Sequence, residues 1–294
     1  MSWILFTIFA ALMQSIRTAG QKVMGARFSP MGNTCVRFLF GLPFAALYYF
    51  ILLKIQNFSG FELDQQFIIF ASLTGICQIC GTALQVYLLG VRNFATGTVF
   101  VKSEVMLTAL IGFTFFDDVL GLQSWIGVVL CSMGIMLLDF RRQHHFGWKS
   151  ISVLSILIGM GAGLSFSLAS LFIRKASHSL NSDFLLSAAT SLLFVVTMQT
   201  ILMVLYLTFF ERNQWKAVLT NKPQALFIGA TSIAGSIGWF TAMTLIQASF
   251  VRALGQVEVI FALLITFLFF REKPGLLEYV GIITITAGVF FVIL

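Results

Sequence analysis

Residues 252–274 read RALGQVEVIFALLITFLFFREKP. The run is apolar from Val257 to Phe270 apart from Glu258 and Thr266, and Arg271-Glu272-Lys273-Pro274 closes it with charge. With the residues before it, it is long enough to cross a bilayer, which needs about 20 residues of helix. A carboxylate inside such a run costs on the order of 2.5–3.5 kcal/mol on insertion scales, so Glu258 is expected to face a protein interior and to have a task. The stretch has a counterpart 154 positions earlier, FATGTVFVKSEVMLTALIGFTFFDD at 94–118, where Glu104 takes the place of Glu258.

The composition agrees with a membrane setting. Of 294 residues, 59% are hydrophobic and 10% charged, with mean hydropathy +0.96, which excludes a soluble domain. The apolar runs are long and do not alternate, so the fold class expected is an all-α polytopic membrane protein rather than a barrel. A net charge of +7 would raise the question of nucleic acid in a soluble chain. Here the basic residues fall in connectors, as the positive-inside rule places them, and no nucleic-acid partner is expected. The N-terminus has no basic residues before its apolar run and reads as a first span.

Apolar runs set against charged or Gly/Pro breaks give ten spans, near 3–21, 31–53, 66–89, 95–115, 121–139, 150–172, 183–209, 223–246, 250–270 and 275–294. Under the shift of 154, residues 93–127 lie on 247–281. Glu104/Glu258, Phe113/Phe267, Phe115/Phe269, Phe116/Phe270, Gly121/Gly275 and Gly127/Gly281 coincide, and Gly134/Gly288 extends the match. Upstream, Gly75/Gly229 and Gly81/Gly235 keep the register, and a shift of 152 pairs Leu12/Leu164, Ser15/Ser167 and Lys22/Arg174. Ten transmembrane helices thus divide into two five-helix repeats, 1–145 and 146–294. An odd number of spans per repeat makes the second inverted relative to the first.

Connectors on one side hold Lys22, Arg27, Arg92, Arg141, Arg142, Lys149, Arg212, Lys216, Lys222, Arg271 and Lys273; the other side holds Lys54, Arg174, Lys175 and Arg252. This bias puts the Arg141 to Lys149 connector in the cytoplasm and both termini outside.

The chain resembles the drug/metabolite transporter superfamily, and within it the EamA-like transporters. The likeness covers the whole chain and rests on the ten-span plan, Arg37-Phe38 in span two, Tyr87 ahead of span four, and Phe269-Phe270-Arg271-Glu272-Lys273-Pro274 closing span nine. Two features depart from the pattern: Asp117-Asp118 stands where the family usually has Gly-Glu, and Lys102 with Glu104 is more charge than span four usually carries. The resemblance implies a gradient-driven carrier or exchanger of small organic solutes, often an exporter, in a bacterial inner membrane.

Arg37, Lys102, Glu104 and Glu258 lie deep in apolar spans, with Arg17 and Asp139 nearer the ends. They form either a buried ion-pair network that ties helices or a site for solute and proton. Glu258 and Glu104 are the candidate proton carriers. Glu258 is preferred because Lys102 precedes Glu104 by two residues, whereas Gln256 holds that place before Glu258. Arg37, Lys102, Gln78, Gln85, Tyr87, Trp239, Gln256 and Gln14 are the candidate solute contacts, few polar groups among apolar walls being the common form of such a site. A cavity with both signs of charge suits an amino acid or related zwitterion, and competition between proton and solute for Glu258 would drive export. Uptake or exchange of a nucleobase, anion or amine is the alternative, and a membrane scaffold or sensor is the alternative from another class.

An intramembrane enzyme is not expected: there is no H-E-x-x-H and no G-x-S-x-G, and His144-His145 is a connector pair without neighbouring ligand residues. No metal or cofactor is expected. Cys77-x-x-Cys80, Cys35 and Cys131 read as packing residues. Gly159, Gly161, Gly163, Ser165 and Ser167, with Gly127, Gly134, Gly281 and Gly288, read as helix seams in a monomer or homodimer. Pro43 should bend span two near Arg37.

Overall fold

A computed structural model describes residues 1–24, 27–56, 64–90, 100–144, 153–180, 182–270 and 276–293, and all secondary structure among them is helical. The helices are α1 (Ser2–Met24), α2 (Pro30–Leu39), α3 (Leu42–Gln56), α4 (Gln65–Gly90), α5 (Glu104–Phe115), α6 (Leu122–His144), α7 (Val153–Ser179), α8 (Phe184–Phe210), α9 (Gln214–Thr220), α10 (Lys222–Leu245), α11 (Ala248–Leu254), α12 (Val257–Phe270) and α13 (Leu276–Ile293). Among the described residues seven helical runs are long and apolar enough to cross a membrane, and three shorter apolar helices, Glu104–Phe115, Leu122–Leu138 and Tyr279–Ile293, accompany them. Large apolar side chains such as Leu5, Phe50, Ile55, Phe209 and Phe290 are exposed on the outer faces, where lipid takes the place of a core. The Arg271 to Pro274 stop, the Arg141 to Lys149 connector beyond His144, and the expected 145/146 boundary between repeats lie outside the described residues.

The inversion is legible in the helix pairs. A Cβ on Gly127 would lie 2.7 Å from the Gly288 carbonyl oxygen and one on Gly134 would lie 2.9 Å from that of Gly281. So α6 and α13, which are repeat equivalents, run antiparallel with glycine against glycine. The missing side chains let the two backbones touch, which is how helices gain packing in lipid without a hydrophobic drive. In the same way α1 lies along α10, where Gly238 meets Phe6 and Ala10, and α4 lies along α7, where Gly81 meets Phe166. These two pairings exchange under the repeat, so each half is packed into the other.

Three spans are broken. Span two divides at Phe40-Gly41, because the Pro43 ring excludes the carbonyl four residues back from a regular helix, and Arg37 ends up in the last turn of α2. Span nine divides between α11 and α12 at Gly255-Gln256, and span four has the equivalent break at Lys102-Ser103. The breaks share a hydrogen bond: Val105 N–H donates to the Lys102 carbonyl at 3.4 Å, and its equivalent Val259 donates to the Gln256 carbonyl at 3.0 Å. Both are three-residue steps, the tightened geometry that marks mid-helix hinges. Gly163 in α7 allows residues 100–103 to approach, since a Cβ there would fall 2.9 Å from the Val101 carbonyl.

Candidate functional site

The two breaks put a carboxylate in the first turn of each following helix, Glu104 in α5 and Glu258 in α12, where the helix dipole favours negative charge. Around them lies one cavity of about 30 Å³, room for one or two waters, lined by Gln14 and Arg17 of α1, Arg37 of α2, Gln78 and Gln85 of α4, Lys102, Glu104, Trp239 of α10 and Arg252 of α11. Phe166 and Ser170 of α7 and Ser236 of α10 complete the wall. Both repeats contribute, and the repeat partners Gln85 and Trp239 face the same space.

The charges pair crosswise. Lys102 Nζ lies 2.8 Å from Glu258 Oε2, and Arg252 Nη1 lies 3.5 Å from Glu104 Oε2, so each carboxylate is held by a cation from the other half. Gln14 donates to Glu258 Oε2 at 2.8 Å and accepts from Trp239 Nε1 at 2.9 Å, joining α1, α10 and α12. Arg252 also donates from Nε to Ser170 Oγ at 2.7 Å and stacks 5.0 Å from the Trp239 ring centroid. Gly255 accommodates that ring, because a Cβ would stand 2.5 Å from it.

Arg17 and Arg37 are different. Both are buried, at 4% and 6% exposure, and line the cavity. Arg37 donates to the Thr82 hydroxyl, and Arg17 makes no hydrogen bond or ion pair among the described residues, its Nε being buried without an acceptor.

At one membrane end, Asp118 in the connector between α5 and α6 is buried and pairs with Arg174 of α7 at 3.2 Å, with Ser249 of α11 at 3.4 Å. This closes α5 against the second repeat. Asp117 beside it has φ 55, a left-handed conformation that Asp tolerates, at the place where the resemblance leads one to expect glycine.

The expected site residues are therefore mostly gathered. Gln14, Arg37, Gln78, Gln85, Lys102, Glu104 and Trp239 line the cavity, and Glu258 is bonded to two of them. Tyr87 is corrected: it is 45% exposed and is not among the lining residues, because two residues beyond Gln85 a helix has turned by about 200°. Gln256 is buried behind the cavity and donates to the Arg252 carbonyl at 3.1 Å. Lys102, which precedes Glu104 by two residues in sequence, pairs with Glu258. Arg252, expected among connector charges, is a buried member of the site. Cys80, read as a packing residue, is exposed on α4. Arg17 and Arg252 were missed as site residues because each lies near a span end in sequence; that Arg17 faces Gln14 one turn back was the available signal.

No match is found among curated proteins. A solved crystal structure superposes with a TM-score of 0.71 at 18% identity, covering 99% of this chain and 96% of the other, and shows the shared fold. The family profile described as "EamA-like transporter family" matches residues 1–139 and 153–294, one stretch in each half. The chain, an integral membrane protein of two such stretches, belongs to the EamA-like transporter family.

Proposed function

We propose that the chain is a secondary active transporter of small organic metabolites in a bacterial inner membrane, working by alternating access between its inverted halves and coupled to protons through Glu258. The observation that carries this reading is the pair of crossed ion bridges, Lys102 with Glu258 and Arg252 with Glu104, at equivalent helix breaks on either side of one cavity. Broken helices facing a central cavity are the usual form of a carrier site, and about 30 Å³ holds only one or two waters, so an organic solute enters only if the lining moves apart.

A proton on Glu258 cancels its attraction for Lys102 and so removes one tie between halves. The more basic membrane end, with Arg27, Arg212, Lys216 and Lys222, is the cytoplasmic one, and both termini lie outside. Export against proton entry requires a solute cation that competes with the proton for Glu258; a solute without one couples differently.

The test is flux in proteoliposomes. E258Q should retain solute counterflow and lose transport driven by a pH step. Undiminished pH-driven transport in E258Q would sink the coupling assignment, and absence of saturable flux in the wild type would sink the carrier reading.

A further inference from the structure

We infer that the cavity takes a small organic anion, its carboxylate or phosphate group held between Arg17 and Arg37. This deepens the carrier reading and rests on it for the meaning of the site, though not for the binding itself.

Four cations, Arg17, Arg37, Lys102 and Arg252, and two carboxylates, Glu104 and Glu258, belong to the cavity region. Both carboxylates are engaged, one by Lys102 and one by Arg252. That leaves Arg17 and Arg37 without an ion-pair partner of their own among the described residues. Arg17 lies in the field of Glu258 and Glu104 but bonds to neither, Arg37 bonds to the Thr82 hydroxyl, and four cations against two carboxylates leave the region with an excess of positive charge. A guanidinium stays protonated under all ordinary conditions, and an uncompensated buried one is among the costliest arrangements a protein can hold. Its planar fork matches carboxylate and phosphate oxygens, so such an anion supplies what the site lacks.

A zwitterion fits less well. Its ammonium would have to displace Lys102 or Arg252 from a formed bridge. The remaining lining, Gln85, Ser236, Phe166 and the Trp239 ring, offers hydrogen bonds and apolar walls to an organic body and no free negative charge.

The experiment measures thermal unfolding of the purified full chain in detergent with succinate, glucose 6-phosphate, alanine, choline and glucose, alongside sodium sulfate as an inorganic control. Succinate or glucose 6-phosphate should raise the unfolding temperature in a saturable way. Which of the two does so separates a carboxylate from a phosphate site. R17Q and R37Q should each weaken that affinity about tenfold or more, the loss expected for one charge-assisted contact. R17K and R37K, which keep the charge but not the fork, check that the variants are folded and should lie between.

A shift by alanine, choline or glucose equal to that of the anions, a response to sulfate only, no shift with either organic anion, or an anion shift unchanged in R17Q and R37Q would each overturn the inference. Counterflow in liposomes is scored separately: anion binding without flux keeps the inference and removes the carrier reading, whereas flux of choline without anion binding does the reverse.

Discussion

Lys102 Nζ and Glu258 Oε2 are 2.8 Å apart although they come from opposite halves, and Glu104, only two residues from Lys102, is held instead by Arg252 at 3.5 Å. Two residues along a helix turn the side chain by about 200°, so neighbours in sequence face different partners. The exchange of cations ties each repeat to the other at the level of the helix breaks. Any movement that parts the halves at that level must break at least one bridge.

Removing one partner leaves the other charge buried. K102M should lower stability by on the order of 3 kcal/mol, while K102M/E258M loses less than the sum of the single changes. Unfolding of the purified proteins in detergent reads both values; strict additivity would show that the bridge is not formed.

Arg252 serves Glu104, Ser170 and the Trp239 ring together. Lysine can satisfy one of these partners at a time, so R252K is expected to reduce initial solute flux about tenfold with the protein still folded. Wild-type flux from R252K proteoliposomes would remove Arg252 from the site.

The glycine seam between α6 and α13 has no room for a methyl group. G127A and G134A should each cost about 1–3 kcal/mol through overpacking. G161A is the contrast, because its Cβ would meet only Leu84 at 3.5 Å and alanine is the better helix former by up to about 1 kcal/mol. Equal effects at the three positions, read by thermal unfolding, would argue against the seam.

Burial pushes the Asp118 carboxyl above the ordinary carboxylate range, against the opposing pull of Arg174 and Ser249. A folded-state value raised above the unfolded one of about 3.9 means that this contribution is fully present below the unfolded value and is lost as pH rises through the folded one. The wild type should therefore gain stability relative to D118N as pH falls through the acidic range. R174Q should carry that window to higher pH. A pH profile of unfolding that is parallel in wild type and D118N would contradict the assignment.

Much of the architecture can be read from residue order. Apolar runs mark the helices, and the shift of 154 that joins Glu104 to Glu258 also joins Gly127 to Gly281 and Gly134 to Gly288. These are the four glycines of one antiparallel seam, in which Gly127 meets Gly288 and Gly134 meets Gly281. Pro43 announces the break in span two. The break at Gly255-Gln256 is less visible, because one glycine in an apolar run is compatible with a continuous helix; what the fold requires of that glycine is room for the Trp239 ring, 2.5 Å from where a Cβ would stand. Tyr87 shows that position along a span says how deep a residue lies and not which way it faces, and Arg252 shows that a charge near the end of an apolar run can lie in the interior when the span is broken there.

The sequence by itself determined the membrane class, the helical content, the repeat and its inversion, and the burial of two equivalent carboxylates, since these depend on hydropathy, span length and spacing along one chain. Only the tertiary structure decided that Lys102 serves Glu258, that Arg252 serves Glu104, and that Arg17 and Arg37 line the cavity without an ion-pair partner of their own. Those relations arise where helices of opposite sense interlock, and the register of that packing is set by close backbone contacts such as Gly163 against residues 100–103, far apart in the chain.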